Sequence, residues 1–398
     1  MIGAVSEALY RASTRLRPPS TLLVLLIIGA TMGAYLWLMG ITYTSDSNTY
    51  DIEASRLVDS GFDFAAVYAQ AQARFPPILY AEFVILAGIL KAIFGDYWGP
   101  ALVALNFASV LTLGLMLVRL VMRATESAAA SWLALLLFAC CFNIAQWMPM
   151  VLSDITFLLL AFTIFSMAAK RILEPGSSWW PVLLLAIVGV FYRPTGLVLL
   201  PDLALAAYLA RREQPLARPK LLLLLLAALS FTGITIFAWL MQDPSRWPFE
   251  TLSSVFKYVS ADYALGEVVS ARLDTYHAPP QSVLDFALIS ADRFVHFFAP
   301  INGVFSLGHK LAELVFYIPC YILAGWLLVQ LARGDTIYNP RVRKLFLVST
   351  GAIFAYALFH SMIQVDFDWR YRVPIIPHLI LLAAGGFADL QRRIVTAS

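Results

Sequence analysis

Charge is scarce in this chain. Only 13% of its 398 residues are Asp, Glu, Lys or Arg, about half the usual share, while 60% are hydrophobic and the mean hydropathy is +0.76. That balance excludes a water-soluble globular domain. Cysteine is nearly absent: Cys140, Cys141 and Cys320 all lie within apolar runs, which excludes a disulfide framework and a thiolate metal site. The five histidines show neither i, i+4 pairing nor a C-x-x-C neighbour, so no structural zinc site is expected. There is no basic tail, and a net charge of +3 spread along the chain gives no footprint for nucleic acid. Low-complexity tracts and internal repeats are missing too, and with them the repeated broken helices expected of a secondary transporter.

What the chain has instead is long apolar runs. A membrane span needs about 20 mostly apolar residues. Ten stretches meet that length approximately: 20–41, 99–121, 128–148, 153–172, 178–193, 195–211, 219–241, 311–332, 344–362 and 374–391. The first follows Arg11, Arg15 and Arg17 and is too long for the apolar core of a cleaved signal peptide, so it is expected as a retained helix. An eleventh run, 77–94, is ambiguous by hydropathy alone. Lysine and arginine favour the cytoplasmic side of short loops, and they settle it. If 77–94 does not span, the pairs Arg119/Arg123, Lys170/Arg171, Arg211/Arg212 and Arg392/Arg393 all fall on one side; if it spans, Lys170/Arg171 and Arg211/Arg212 move outside. The expectation is therefore a single multi-pass domain over 1–398, with both termini cytoplasmic and 77–94 re-entrant or lying on the surface. Two long external segments, 41–98 and 242–310, complete it. Residues 47–74 mix acids, tyrosines and apolar residues at helical spacing, which suits helices lying along the interface.

The polar residues on the external side are few and ordered. Ser45-Asp46-Ser47-Asn48-Thr49-Tyr50-Asp51 places two carboxylates just beyond the first span, either solvated helix-end residues or chemical groups. Arg74-Phe75-Pro76-Pro77 follows, and its prolines forbid a continuous helix. Asp154 stands where the third span turns into the fourth, as an N-cap or as a second site acid. Arg193-Pro194-Thr195-Gly196 reads as a tight helical hairpin, yet its arginine is on the side that the charge bias disfavours. The last external loop, Asp366-Phe367-Asp368-Trp369-Arg370-Tyr371-Arg372, sets two arginines among aromatics. They could hold a phosphate, since guanidinium forks match phosphate oxygens, or pair locally with Asp366 and Asp368. Asp202 alone lies well inside a span, where a hydrogen bond within the bundle is expected.

The order of SDSNTYD, RFPPILYAEFVILAGILKAIFGD, LSDITFLLL, YRPTGLVLLP and DFDWRYRVPIIPHLILLAAGG, over most of 20–390, resembles the GT-C fold glycosyltransferases that use lipid-phosphate sugars. The likeness is to the branch holding the protein O-mannosyltransferases and the lipid A aminoarabinose transferases. It implies an all-α, GT-C-like bundle of about ten transmembrane helices with interfacial helices in the first external loop. It also implies Asp46 as the catalytic base, Asp154 as the second external acid, and Arg370 and Tyr371 beside the donor phosphate. Ser45-Asp46-Ser47 stands where larger members carry a tandem acidic pair, which leaves metal use and acceptor type open.

The expectation is an inverting glycosyltransferase of a bacterial cytoplasmic membrane. It would act at the periplasmic face, moving a sugar from a polyprenyl phosphate to a hydroxyl of a glycan, lipid or protein. Asp46 would take the acceptor proton, with Arg370, Arg372 and Arg193 stabilising the leaving phosphate. Tyr50 and Trp369 are candidate walls for the sugar, and Asp51 and Arg74 complete the candidate substrate-binding set. No cofactor is required, although Asp46 and Asp154 could hold a divalent cation. The alternatives are an O-antigen polymerase or ligase using a diphosphate-linked donor, kept open by the arginines of 242–310, and a secondary transporter.

Overall fold

The computed structural model describes residues 16–65, 80–174, 176, 178–211, 283–301, 305–363 and 369–397. Among them the protein is all helix apart from turns and one isolated bridge. In chain order the helices are α1 (Thr21–Met39), α2 (Ser45–Asp59), α3 (Ala81–Phe94), α4 (Trp98–Thr125), α5 (Ala128–Ala139), α6 (Phe142–Trp147), α7 (Asp154–Leu173), α8 (Trp180–Val190), α9 (Leu199–Arg211), α10 (Val283–Phe297), α11 (Leu307–Arg333), α12 (Pro340–Ile363) and α13 (Ile376–Ala397). Short 3-10 turns at Gly95–Tyr97, Pro194–Val198 and Trp369–Ile375 lead into α4, α9 and α13. Among the described residues six helical segments are long and apolar enough to cross a membrane, one of them the run Ala81–Thr125, and α5 and α8 are shorter apolar helices. The expected span 219–241 lies outside the described residues.

Two expected spans are shorter than hydropathy suggests. The run 128–148 breaks at Cys140-Cys141, because Asn143 turns inward and donates to Glu313 Oε2 (3.3 Å) and to the Tyr317 hydroxyl (2.9 Å) on α11. The run 178–193 is helical only over Trp180–Val190. Gly196 packs on the Gly189 carbonyl with no room for a Cβ, which closes the hairpin and leaves Arg193 extended at its tip.

The long helices run both ways along the bundle, α1 and α12 in one direction and α4, α7, α11 and α13 in the other, and their contacts define two ends. At one end Arg119 reaches Thr21, Arg123 faces Glu174, Arg341 donates to the Leu173 carbonyl and Arg392 donates to that of Thr125. At the other, Thr42 donates to the Pro149 carbonyl and accepts from Val151, each at 3.0 Å, forming a short parallel bridge. Helix α3 has both termini at this second end. The Glu82 amide bonds the Phe191 carbonyl at 3.1 Å, and beyond Gly95 (φ +58°) Gly99 sits tightly against Tyr43. Hydropathy cannot distinguish this from a crossing helix.

Segment 242–310, expected as one external unit, is described only from 283. There α10 packs along α12 and buries Ser290 and Arg293. The hydrogen bond expected for Asp202 is absent among the described residues. Its carboxyl instead lines a small cavity with Tyr356 and His378 between α7, α9, α12 and α13.

Candidate active site at one end of the bundle

Helix α2 is placed by its own N-terminus. Thr44 and Ser47 form a reciprocal capping box that starts α2, and the Ser47 hydroxyl also donates to the Val151 carbonyl at 2.9 Å. With the Thr42 bridge, this fixes Asp46, in the first turn of α2, beside the loop leading to Asp154. Asn106 of α4 supports that loop from beneath, donating to the carbonyls of Met148 (3.3 Å) and Met150 (3.0 Å). Both acids sit at helix N-termini, where unsatisfied amides favour negative charge.

Each acid meets an arginine distant in sequence. Arg370 Nη1 donates to Asp46 Oδ2 at 2.7 Å, with the two side chains 20% and 34% exposed. Arg193 Nη1 lies 2.5 Å from Asp154 Oδ1, and this pair is 7% and 5% exposed. Asp154 is the first residue of α7 and no N-cap: Ser153 holds that position without a capping bond. Arg193 does not snorkel, and the described partner of Arg370 is Asp46 across 324 positions, whereas Asp366 and Asp368 lie outside the described residues.

Aromatic rings line this patch. Tyr50 is buried against Tyr80 (5.9 Å between centroids) and Phe83 (4.6 Å), and Phe83 in turn meets Tyr192 (5.7 Å). Tyr371 stacks on His360 (4.5 Å), and its hydroxyl accepts from Arg370 Nη2 at 3.1 Å. Tyr80, packed on Tyr50, feels the charges of Arg193, Arg370 and Asp46 and so belongs to the same patch. Burial pushes its phenol up to about 12, with Arg193 pulling the other way. Burial likewise raises the Tyr50 phenol well above its ordinary value. At neutral pH both phenols are therefore hydrogen-bond donors and not bases.

Of the residues expected from the sequence, Asp46, Tyr50, Asp154, Arg193, Arg370 and Tyr371 come together here. Asp51 points elsewhere: with Ser55 it receives Lys91 Nζ, each at 2.6 Å, pinning α2 to α3. Arg372 is a correction. It is fully buried, donates Nη1 to the Ala299 carbonyl at 2.6 Å and lies over the Tyr317 ring at 4.8 Å, so it does not front a phosphate at the bundle mouth. Two positions apart in a 3-10 turn, Arg370 and Arg372 face different ways. Arg74 lies outside the described residues, and Trp369 opens the turn that carries Arg370.

Tyr80 and His360 were missed. Tyr80 closes the Arg74–Tyr80 motif and was legible as its last aromatic. His360, a single polar residue in the apolar run 344–362, carries no local signal. Among the described residues no three His, Cys, Asp or Glu converge to hold a metal ion, and each candidate carboxylate is engaged by a guanidinium.

The arrangement offers a partly exposed carboxylate, two guanidinium groups and phenolic donors in one patch at the mouth of an apolar bundle. No family model matches this chain, and neither a curated protein nor a solved structure does.

Proposed function

We propose that the protein is an inverting glycosyltransferase of a bacterial cytoplasmic membrane, with a ten-span, GT-C-like bundle and its active site at the periplasmic face. The donor is a sugar joined to a polyprenyl phosphate, and the acceptor is a hydroxyl of a glycan, lipid or protein. The observation that carries this reading is the Asp46–Arg370 pair: a carboxylate and a guanidinium 2.7 Å apart, partly open to water at the end of an apolar bundle.

In the reaction the bond between the anomeric carbon and the phosphate oxygen breaks, and its electron pair leaves with the phosphate. The acceptor oxygen forms the new bond from the opposite face. Asp46 takes the acceptor proton as its oxygen becomes the nucleophile. Arg370 meets the growing negative charge on the phosphate, a task for preorganised donors in a site that excludes water. Arg193 adds positive potential while remaining locked to Asp154. Tyr50, Tyr80 and Tyr371 supply ring faces and hydroxyls suited to a sugar. Binding of donor phosphate to Arg370 also releases Asp46 for its role as base.

The test is transfer from a panel of polyprenyl-phosphate sugars by purified protein in nanodiscs, run beside Asp46→Asn. One donor should turn over, and the variant should lose at least about a hundredfold in rate while still binding donor. Undiminished activity in Asp46→Asn refutes the assignment. Turnover of diphosphate-linked oligosaccharides alone would move the protein to the polymerase or ligase class.

A further inference from the structure

Arg372 is well placed to hold something, though not substrate. It sits in the same short turn as Arg370 and Tyr371, and its side chain passes to the opposite side, into a buried polar cluster. That cluster draws on four separate pieces of the chain. The Ala299 carbonyl beyond α10 accepts from Nη1 at 2.6 Å, and Glu313 Oε2 on α11 lies 3.8 Å from Nη2. Asn143 of α6 donates to the same Glu313 oxygen and to the Tyr317 hydroxyl. His309, one turn before Glu313, approaches its other oxygen at 3.6 Å.

Glu313 is only 1% exposed, in a helix otherwise apolar enough to cross a membrane. A carboxylate there is costly and is retained only where a specific charge requires it. The fully buried guanidinium beside it is that charge. Asn143 and His309 restrict where the carboxylate can point, and the carboxylate restricts where Arg372 can lie. Positions 370 and 372 share one short 3-10 turn, so anchoring Arg372 restricts the backbone from which Arg370 and Tyr371 project.

We infer that Glu313 is a positioning residue for the proposed phosphate site: through Arg372 it locks the Trp369–Ile375 turn so that Arg370 and Tyr371 face Asp46. The inference rests on the glycosyltransferase reading for what Arg370 binds, but not for where Arg370 is held. Asn143 belongs to the same device, which gives the break between α5 and α6 a purpose.

Two measurements on the full-length protein separate these parts. The first is binding of undecaprenyl phosphate in nanodiscs by wild type, Arg370→Ala and Glu313→Gln. Wild type should bind, and Arg370→Ala should weaken binding at least about tenfold. Glu313→Gln, which keeps the shape and removes the charge, should weaken it to a similar degree and lower kcat as well, since Arg370 meets charge that grows in the transition state. Because that variant leaves Arg372 buried without its counter-charge, Glu313→Leu with Arg372→Met serves as a charge-free control for folding. The pair should melt near the wild-type temperature yet stay weak in binding, since an apolar pair does not orient the turn. Wild-type affinity in Glu313→Gln or in the folded double variant overturns the inference.

The second measurement is oxidative cross-linking between cysteines introduced as Asp46→Cys and Arg370→Cys. Its yield should fall severalfold when Glu313→Gln is added, and equal yields overturn the positioning role whatever the ligand. If wild type fails to bind undecaprenyl phosphate but the cross-link responds as expected, the phosphate reading falls and the positioning role stands.

Discussion

At one end of the bundle arginines close helix C-termini as well as meeting acids, and at the other they meet acids at helix N-termini. Arg341 and Arg392 donate to the final carbonyls of α7 and α4, Arg171 donates to Ser178, and Arg123 faces Glu174 with both side chains 54% exposed. Arg341 and Arg392 satisfy carbonyls that a helix C-terminus leaves free, and complement the negative pole of the helix dipole. At the opposite end Arg193 and Arg370 bypass the backbone and pair with Asp154 and Asp46. There the acids sit at helix N-termini, and the arginines answer them from segments distant in the chain. The contrast shows that position along a span does not settle what an arginine does. The pole of the helices it meets, and its access to water, decide.

The sharpest way to test the contrast is to remove one arginine from each end and compare stability. Arg193→Ala strands a buried carboxylate and should cost about 3–5 kcal/mol, read as a large fall in unfolding temperature in detergent. A loss under about 1 kcal/mol would mean that Asp154 is not charged in the folded protein. Arg370→Ala, whose partner is a third exposed, should leave stability nearly unchanged. It should weaken donor binding by about 1.5–3 kcal/mol, roughly ten- to a hundredfold, measured as KM. Unaltered KM would move the phosphate site elsewhere.

Alkaline pH gives a further test of the second end through Tyr80. Its folded value of about 12 lies above the ordinary 10, so the folded protein keeps that proton when the unfolded chain has lost it. Stability should be unaffected below pH 10, fall as pH rises from 10 towards 12, and fall less steeply in Tyr80→Phe. A variant with an unchanged slope would assign the effect to another group. The smallest effect belongs to the first end: Arg123→Ala removes an exposed pair and should change stability by no more than about 0.5 kcal/mol.

Much of this division was legible in the residues. Clustering of Lys170/Arg171 and Arg392/Arg393 foretold two unlike ends; Asp154 and Arg193 stood out as charges in motifs otherwise apolar, and Asp46 and Arg370 as members of short polar motifs beside apolar runs. Their partnerships were hidden, since Asp154 and Arg193 are 39 positions apart and Asp46 and Arg370 are 324 apart. Arg372 misled because two neighbouring arginines in an aromatic setting look equivalent until a 3-10 turn separates their faces. Glu313 went unnoticed for the opposite reason: it sits in an apolar run, where one acid has no local pattern to mark it. The break at Cys140-Cys141 has the same origin, a polar side chain whose partner lies on another helix.

The bridge at Thr42 acts as a length gauge for the whole second end. Thr42 uses both its amide and its carbonyl against the 149–151 strip, so the chain leaving α1 is clamped four residues before Asp46. One residue inserted between Thr42 and Thr44 would add about 3.4 Å of extended chain between the clamp and the capping box and shift the carboxylate relative to Arg370, while leaving every apolar contact of α1 in place. The spacing between that clamp and the acid is therefore as fixed a property of the protein as the acid itself.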